Sequence, residues 1–145
     1  MAGLVIDEGM PRIIDAKTHG IIDYIHAATN FVVGALFWKR NKRAAICAMG
    51  LGADVLFNAL MTDYPLGVFR VYSFKTHGIL DYTVAATCPA LPLLLGFSDE
   101  PEATYFYAQG GGEAVIAGIT DYDDDSGSRR RGRGRVTEIL RRRAA

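Results

Sequence analysis

The chain is 145 residues long, half of them apolar, with sixteen basic and sixteen acidic side chains and a formal net charge of zero. That length allows one domain with a real core. The zero charge is a cancellation, since residues 123–145 alone hold three Asp and eight Arg, and Cys47 and Cys88 lie in apolar stretches without a second Cys or His at ligand spacing, which argues against a disulfide or zinc framework.

The lead, residues 1–16, lacks the basic-then-apolar order of a cleavable signal peptide, so the first helix would itself direct insertion into a membrane. A first helix is expected over about 18–38, followed by the basic turn Lys39-Arg40-Asn41-Lys42-Arg43 and a second helix over about 44–64, closed by Pro65 and Gly67. A third is expected over about 76–97, kinked at Pro89 and Pro92, and a fourth over about 102–122. Segments of roughly 20 residues are each about 30 Å long, the thickness of a bilayer core. Trp38 and Phe97 at one end, with Tyr64, Tyr72 and Tyr122 at the other, suit interfacial aromatic belts. Small residues (Gly50, Gly52, Ala53, Gly110, Gly111, Gly112, Ala114) suit close helix packing. A soluble bundle is the rival, with Gln109 and Glu113 in its favour, but residues 31–38 are apolar on every face rather than on one stripe.

The chain repeats itself. Lys17-Thr18-His19-Gly20-Ile21-Ile22-Asp23-Tyr24 returns as Lys75-Thr76-His77-Gly78-Ile79-Leu80-Asp81-Tyr82, and Thr62-Asp63-Tyr64 returns as Thr120-Asp121-Tyr122, always 58 residues on. Between residues 17–64 and 75–122, 17 of 48 positions are identical without a gap, which fixes the unit. The expected fold is therefore all-α: a four-helix transmembrane bundle of two tandem 58-residue helical hairpins. Its segments are a lead (1–16), a first repeat (17–72), a second repeat (73–122) and a disordered Arg-rich tail (123–145).

Because a hairpin reverses direction, T-H-G-x-x-D-Y at the start of one helix and T-D-Y at the end of the next meet at one level. That end, the motif side, gathers His19, Asp23, Asp63 and Tyr64 with His77, Asp81, Asp121 and Tyr122. His19 and Asp23, like His77 and Asp81, are four apart and share a helix face. Ionisable groups within a span are costly and mark function by default. This set suits proton or ion handling, since His titrates near neutral pH. It also admits a divalent metal, or a haem clamped axially by His19 and His77, though no tight metal motif is present. A purely structural account competes: Thr18 and Thr76 as N-caps, Asp complementing helix dipoles, Tyr as interfacial anchors. Deeper in the bundle the copies diverge. Copy one adds His26 and Asn30 on helix 1 and Asp54 and Asn58 on helix 2, which suggests a His26–Asp54 pair; copy two offers Glu113.

The tail reads as an acidic linker and an Arg-Gly run, suited to anionic lipid headgroups; with no nucleic-acid fold in the body, nucleic acid ranks below lipid. The motif side carries Arg12, Lys17, Arg70, Lys75 and the tail arginines, so the positive-inside rule puts both termini in the cytoplasm of a bacterial-type inner membrane, although the basic turn 39–43 argues the other way. The plan of a duplicated two-helix membrane unit resembles that of small bacterial SPW-repeat proteins, but the Ser-Pro-Trp tripeptide is absent and the likeness stops at architecture. No hydrolase triad, phosphate loop or nucleotide site is present, which argues against an enzyme. The expected function is a small integral membrane protein whose polar cluster handles protons or an ion. The alternatives are a haem or metal electron-transfer module, or an accessory subunit of a larger membrane complex or homo-oligomer.

Overall fold

The computed structural model describes residues 10–126; the Arg-rich part of the tail, 127–145, and residues 1–9 lie outside the described residues. The chain is mostly helical. α1 (Ala16–Phe37) and α2 (Lys42–Met61) form the first hairpin, and α3 (Phe74–Thr87) and α5 (Ala103–Gly118) the second. Between α3 and α5 the chain tightens into a 3-10 turn (Cys88–Ala90) and one further turn, α4 (Leu91–Leu94). Pro89 and Pro92 account for the break, since neither can donate to the α ladder.

α1 and α2 are each long and apolar enough to cross a membrane, judged by length and composition. α3 and α5, with 14 and 16 residues, are shorter. At 1.5 Å per residue they reach only about 21–24 Å, less than a straight span needs.

Asp15 caps α1 by accepting from the Thr18 amide at 2.7 Å, and Ser73 caps α3 by accepting from Thr76 at 3.1 Å. The threonines expected as caps are thus the third helical residues, and the caps stand at positions 15 and 73, again 58 apart. Neither T-D-Y segment closes a helix as expected. α2 stops at Met61, and Thr62 turns out of it with an extended backbone (ψ 138°). Thr62 and Asp63 form a short strand, β1 (Thr62–Asp63), paired in parallel with β2 (Tyr72–Ser73) in the register Thr62 to Tyr72 and Asp63 to Ser73. In the second copy Thr120 makes the equivalent parallel bridge to Ile14. Each T-D-Y segment is therefore held against the residues leading into the other copy's first helix.

The apolar core lies in two clusters. Ala16, Ala59, Tyr64 and Phe74 pack at the motif end, and Ala44, Ala48, Cys88, Phe97, Ala103 and Phe106 at the far end. At the far end Arg40 reaches Glu102 at 3.3 Å and Arg43 donates to the Gly96 carbonyl at 2.9 Å. Half of the cations in the basic turn thus clasp the second hairpin. Of the small residues expected at helix contacts, Gly52 lies against the Ala27 carbonyl and Gly110 against Pro89, whereas Gly50, Gly111 and Gly112 face open space. The aromatic belts need correction too: Trp38 is exposed, but Phe97 and Tyr64 are core residues, and Tyr72 is half-buried and donates to Asn58 Oδ1 at 2.6 Å.

Candidate functional site

α1 buries the side that carries His19, Asp23 and Asn30. Its covered positions are Ala16, His19, Gly20, Asp23, Ala27, Asn30 and Gly34, at the three-and-four spacing of one helix face. α3 does the same with Phe74, His77, Gly78 and Asp81. The two faces meet, and the two imidazoles oppose each other with Nε2 atoms 3.3 Å apart.

The hydrogen bonds around them assign both tautomers. Thr62 Oγ1 donates to the Asn58 carbonyl at 2.6 Å, so it accepts from His77 Nδ1, also at 2.6 Å. Thr120 Oγ1 donates to the Ile116 carbonyl at 2.7 Å and accepts from His19 Nδ1 at 2.9 Å. Each Nδ1 therefore carries a proton, and each Nε2 is turned inward. There His19 Nε2 lies 3.2 Å from both Asp23 Oδ1 and Asp81 Oδ2, and His77 Nε2 lies 3.1 Å from Asp81 Oδ1 and 3.4 Å from Asp23 Oδ2. Tyr64 donates to Asp23 at 3.0 Å and Tyr122 to Asp81 at 2.5 Å. Every contact recurs under a shift of 58. The Tyr–Asp bonds stay within a copy, while the His–Thr bonds cross between copies.

The centre is closed. His19 and His77 are each 1 % exposed, and Asp23, Asp81, Thr62 and Thr120 are buried with them. The aromatic rings cover it: Phe74 stands edge-on to His19 at 5.3 Å and 4.9 Å from Tyr122. Gly20 and Gly78 make room, because a Cβ there would meet the rings of Tyr64 and Tyr122 at 2.9 and 2.8 Å. Burial, reinforced by Asp23 and Asp81 respectively, raises the Tyr64 and Tyr122 hydroxyls above the usual phenol range, so both remain donors.

Six of the eight expected cluster residues come together: His19, Asp23, Tyr64, His77, Asp81 and Tyr122. Asp63 and Asp121 do not. As members of extended segments they point away, Asp63 to within 3.9 Å of Arg70 and Asp121 to within 4.0 Å of Arg12. Thr62, Thr120 and Phe74 belong to the site. The threonines stand in the repeated T-D-Y motif, whereas Phe74 carries no sequence signal, since its counterpart 58 residues earlier is Ala16. A porphyrin cannot lie between the histidines, because the carboxylates of Asp23 and Asp81 flank the 3.3 Å gap where the macrocycle would pass.

The deeper residues also regroup. His26 pairs with Glu113 across the hairpins at 3.3 Å, not with Asp54. Asp54 is exposed and accepts from Asn58 at 3.5 Å, and Asn30 accepts from Tyr105 at 3.0 Å. His26 and Glu113 line a groove of about 290 Å³ with Tyr105, Gln109 and Gly112. The acidic stretch expected as a free linker is engaged at its start: Asp123 pairs with Arg12 at 3.0 Å and with Lys75 at 2.5 Å, and Asp124 accepts from the Ala16 amide at 2.9 Å.

In two imidazoles, two carboxylates and the hydroxyls that aim them, the centre has the parts to hold protons or a cation. No protein-family model, curated protein or solved structure matches the chain.

Proposed function

We propose that this is a small integral membrane protein whose buried His–Asp centre takes up protons or a cation. The observation that carries the reading is an inverted distribution of polarity. His19 and Asp23 of α1 and His77 and Asp81 of α3 are buried, with only Lys17 and Lys75 at the helix starts exposed among the Lys, Asp and Glu of these two helices. Large apolar side chains face outward, Ile25 at 62 % exposure and Leu93 at 73 % among them. Water would favour the reverse, and a soluble monomer rarely exposes so many large apolar side chains. In lipid the arrangement is the stable one, because apolar side chains meet hydrocarbon and ionisable groups pair inside.

The site lies near the motif end of the helices. With neutral histidines the centre would hold two negative charges and two imidazole lone pairs facing carboxylate oxygens. Burial of that set without compensation is strongly unfavourable, so the geometry calls for protons or a cation at the middle. The finer placement, an inner membrane with both termini cytoplasmic, rests on the distribution of Lys and Arg alone.

Two measurements test this reading. The protein should resist extraction by carbonate and high salt and yield to detergent; release without detergent would overturn the membrane assignment. In detergent, the protein should take up protons or an added divalent cation in a way that the Asp23→Asn/Asp81→Asn double variant loses. Equal uptake by the folded variant would remove the centre from the function.

A further inference from the structure

We infer that the centre formed by His19, Asp23, His77 and Asp81 binds one divalent metal ion of the zinc class, which ties the two hairpins together. This rests on the reading that the centre takes a cation, and it names which one.

The donor atoms are already spaced for such an ion. His19, His77 and Asp23 offer ligand atoms that all lie within 4.8 Å of one another. The two Nε2 atoms lie 3.3 Å apart, and each carboxylate turns a different oxygen to each of them. Asp23 places Oδ1 3.2 Å from His19 and Oδ2 3.4 Å from His77, and Asp81 places Oδ2 3.2 Å from His19 and Oδ1 3.1 Å from His77. Ligands at the usual zinc distances of about 2.0–2.1 Å in a tetrahedral shell are about 3.3–3.4 Å apart. Two imidazole nitrogens this close, with lone pairs converging, repel each other unless something electropositive lies between them.

Charge balance points the same way. Two carboxylates and one divalent ion sum to zero with both histidines neutral, the state in which imidazole ligates. The surrounding groups complete the design. Thr62 and Thr120 each accept the Nδ1 proton, which fixes the ring and leaves Nε2 for the metal, and Tyr64 and Tyr122 each donate to a ligating carboxylate. Imidazole with carboxylate suits zinc and its transition-metal neighbours rather than calcium or magnesium, which prefer oxygen alone. All four ligands are buried, with no face left for a substrate, which is the pattern of a structural site. Such an ion would cross-link α1 to α3.

The test uses the full chain, purified in detergent without chelator or polyhistidine tag. Elemental analysis should find about one zinc-class ion per chain, and Co²⁺ substitution should give the visible bands of a tetrahedral site. His19→Gln and His77→Gln should each lose the metal. Thr62→Val, which leaves every ligand in place, should weaken zinc affinity by about 10–100-fold, and chelator should lower the Tm of the native chain but not of the histidine variants. Should the histidine variants fail to fold, the threonine variant decides: unchanged affinity would overturn the assignment. Metal retained in a folded His19→Gln/His77→Gln double variant would place it elsewhere and also overturn it. A chain that takes neither Zn²⁺ nor Co²⁺ yet loses proton uptake in the Asp23→Asn/Asp81→Asn variant would refute the metal while leaving the proposed function standing. Loss of neither would refute both.

Discussion

The motif-end centre and the layer about two turns deeper are built on the same helices, yet they obey opposite rules. At the centre every polar contact of one copy is repeated by the other: His19 with Thr120 and His77 with Thr62, Tyr64 with Asp23 and Tyr122 with Asp81. In the deeper layer His26 meets Glu113, while the residues at the mirrored positions are Val84 and Val55. The difference follows from the bonding. Where the contacts of both copies are linked in one network, each residue must keep its identity; where a cross-copy pair stands apart, its mirrored pair can turn apolar as a whole without leaving an orphan.

The sharpest way to break this comparison is to remove one central carboxylate. Asp23→Ala and Asp81→Ala should each destabilise the protein by about 3–5 kcal/mol, the usual cost of stranding a buried charged partner, and by nearly equal amounts. Chemical unfolding of the purified variants checks it, and a large inequality would show that the symmetry is only geometric. Next come the glycines beneath the tyrosine rings. Gly78→Ala places a methyl group 2.8 Å from Tyr122 and should cost about 1–3 kcal/mol, whereas Gly112→Ala meets nothing within 4 Å and should be neutral or stabilising by up to about 1 kcal/mol. Their Tm values should move in opposite directions or, at the least, differ clearly.

A double swap probes the deeper layer. His26→Val with Glu113→Val gives each position the residue its counterpart already carries, and it should change stability by no more than about 1 kcal/mol, because an apolar replacement of a whole buried pair is often neutral. Either single change should be worse than the pair, and a double-mutant cycle measures the coupling.

The smallest effect concerns the caps. Asp15→Ala should cost about 0.5–1 kcal/mol, at the low end of cap values because the site is exposed. The Thr18 amide holds the Asp15 carboxyl below its usual value. A depressed carboxylate adds stability that is present above its unfolded pKa and is lost as pH falls through the folded one. The cost of Asp15→Ala should therefore fade in acid, while that of Ser73→Ala, at the equivalent but non-titrating cap, should not.

Much of this was legible in the residues. The offset of 58 and the apolar runs marked the helices, and the four-residue spacing of His and Asp put them on one face. The T-D-Y segments could not be placed so well, because helix and short strand compete there. The outcome turns on backbone bonds such as Val71 N to Met61 O, made to residues that local pattern does not reveal. The pairing of His26 was hidden for a related reason. Depth along a helix is readable from rise per residue, but which neighbour lies across the bundle is not, and the hairpins bring Glu113 rather than Asp54 to that level. Phe74 lay beyond any repeat-based reading, since Ala16 holds its place in copy one.

The crossing of the His–Thr bonds has a consequence for biosynthesis. The chain emerges from the ribosome N-terminus first, and α1 and α2 can pair as soon as they are made. His19, however, finds its hydroxyl partner 101 residues later in Thr120, while His77 looks back only 15 residues to Thr62. Throughout synthesis of the second half, the first hairpin carries an imidazole without its hydroxyl partner. Segments that fold in order of appearance must wait for such distant partners. The last contact to form is therefore the latch that joins the two ends of the described chain, where Ile14 and Thr120 come together. A nascent chain halted before Thr120 would hold an open half-site, and its instability offers a natural signal by which a cell's quality control could tell finished protein from unfinished.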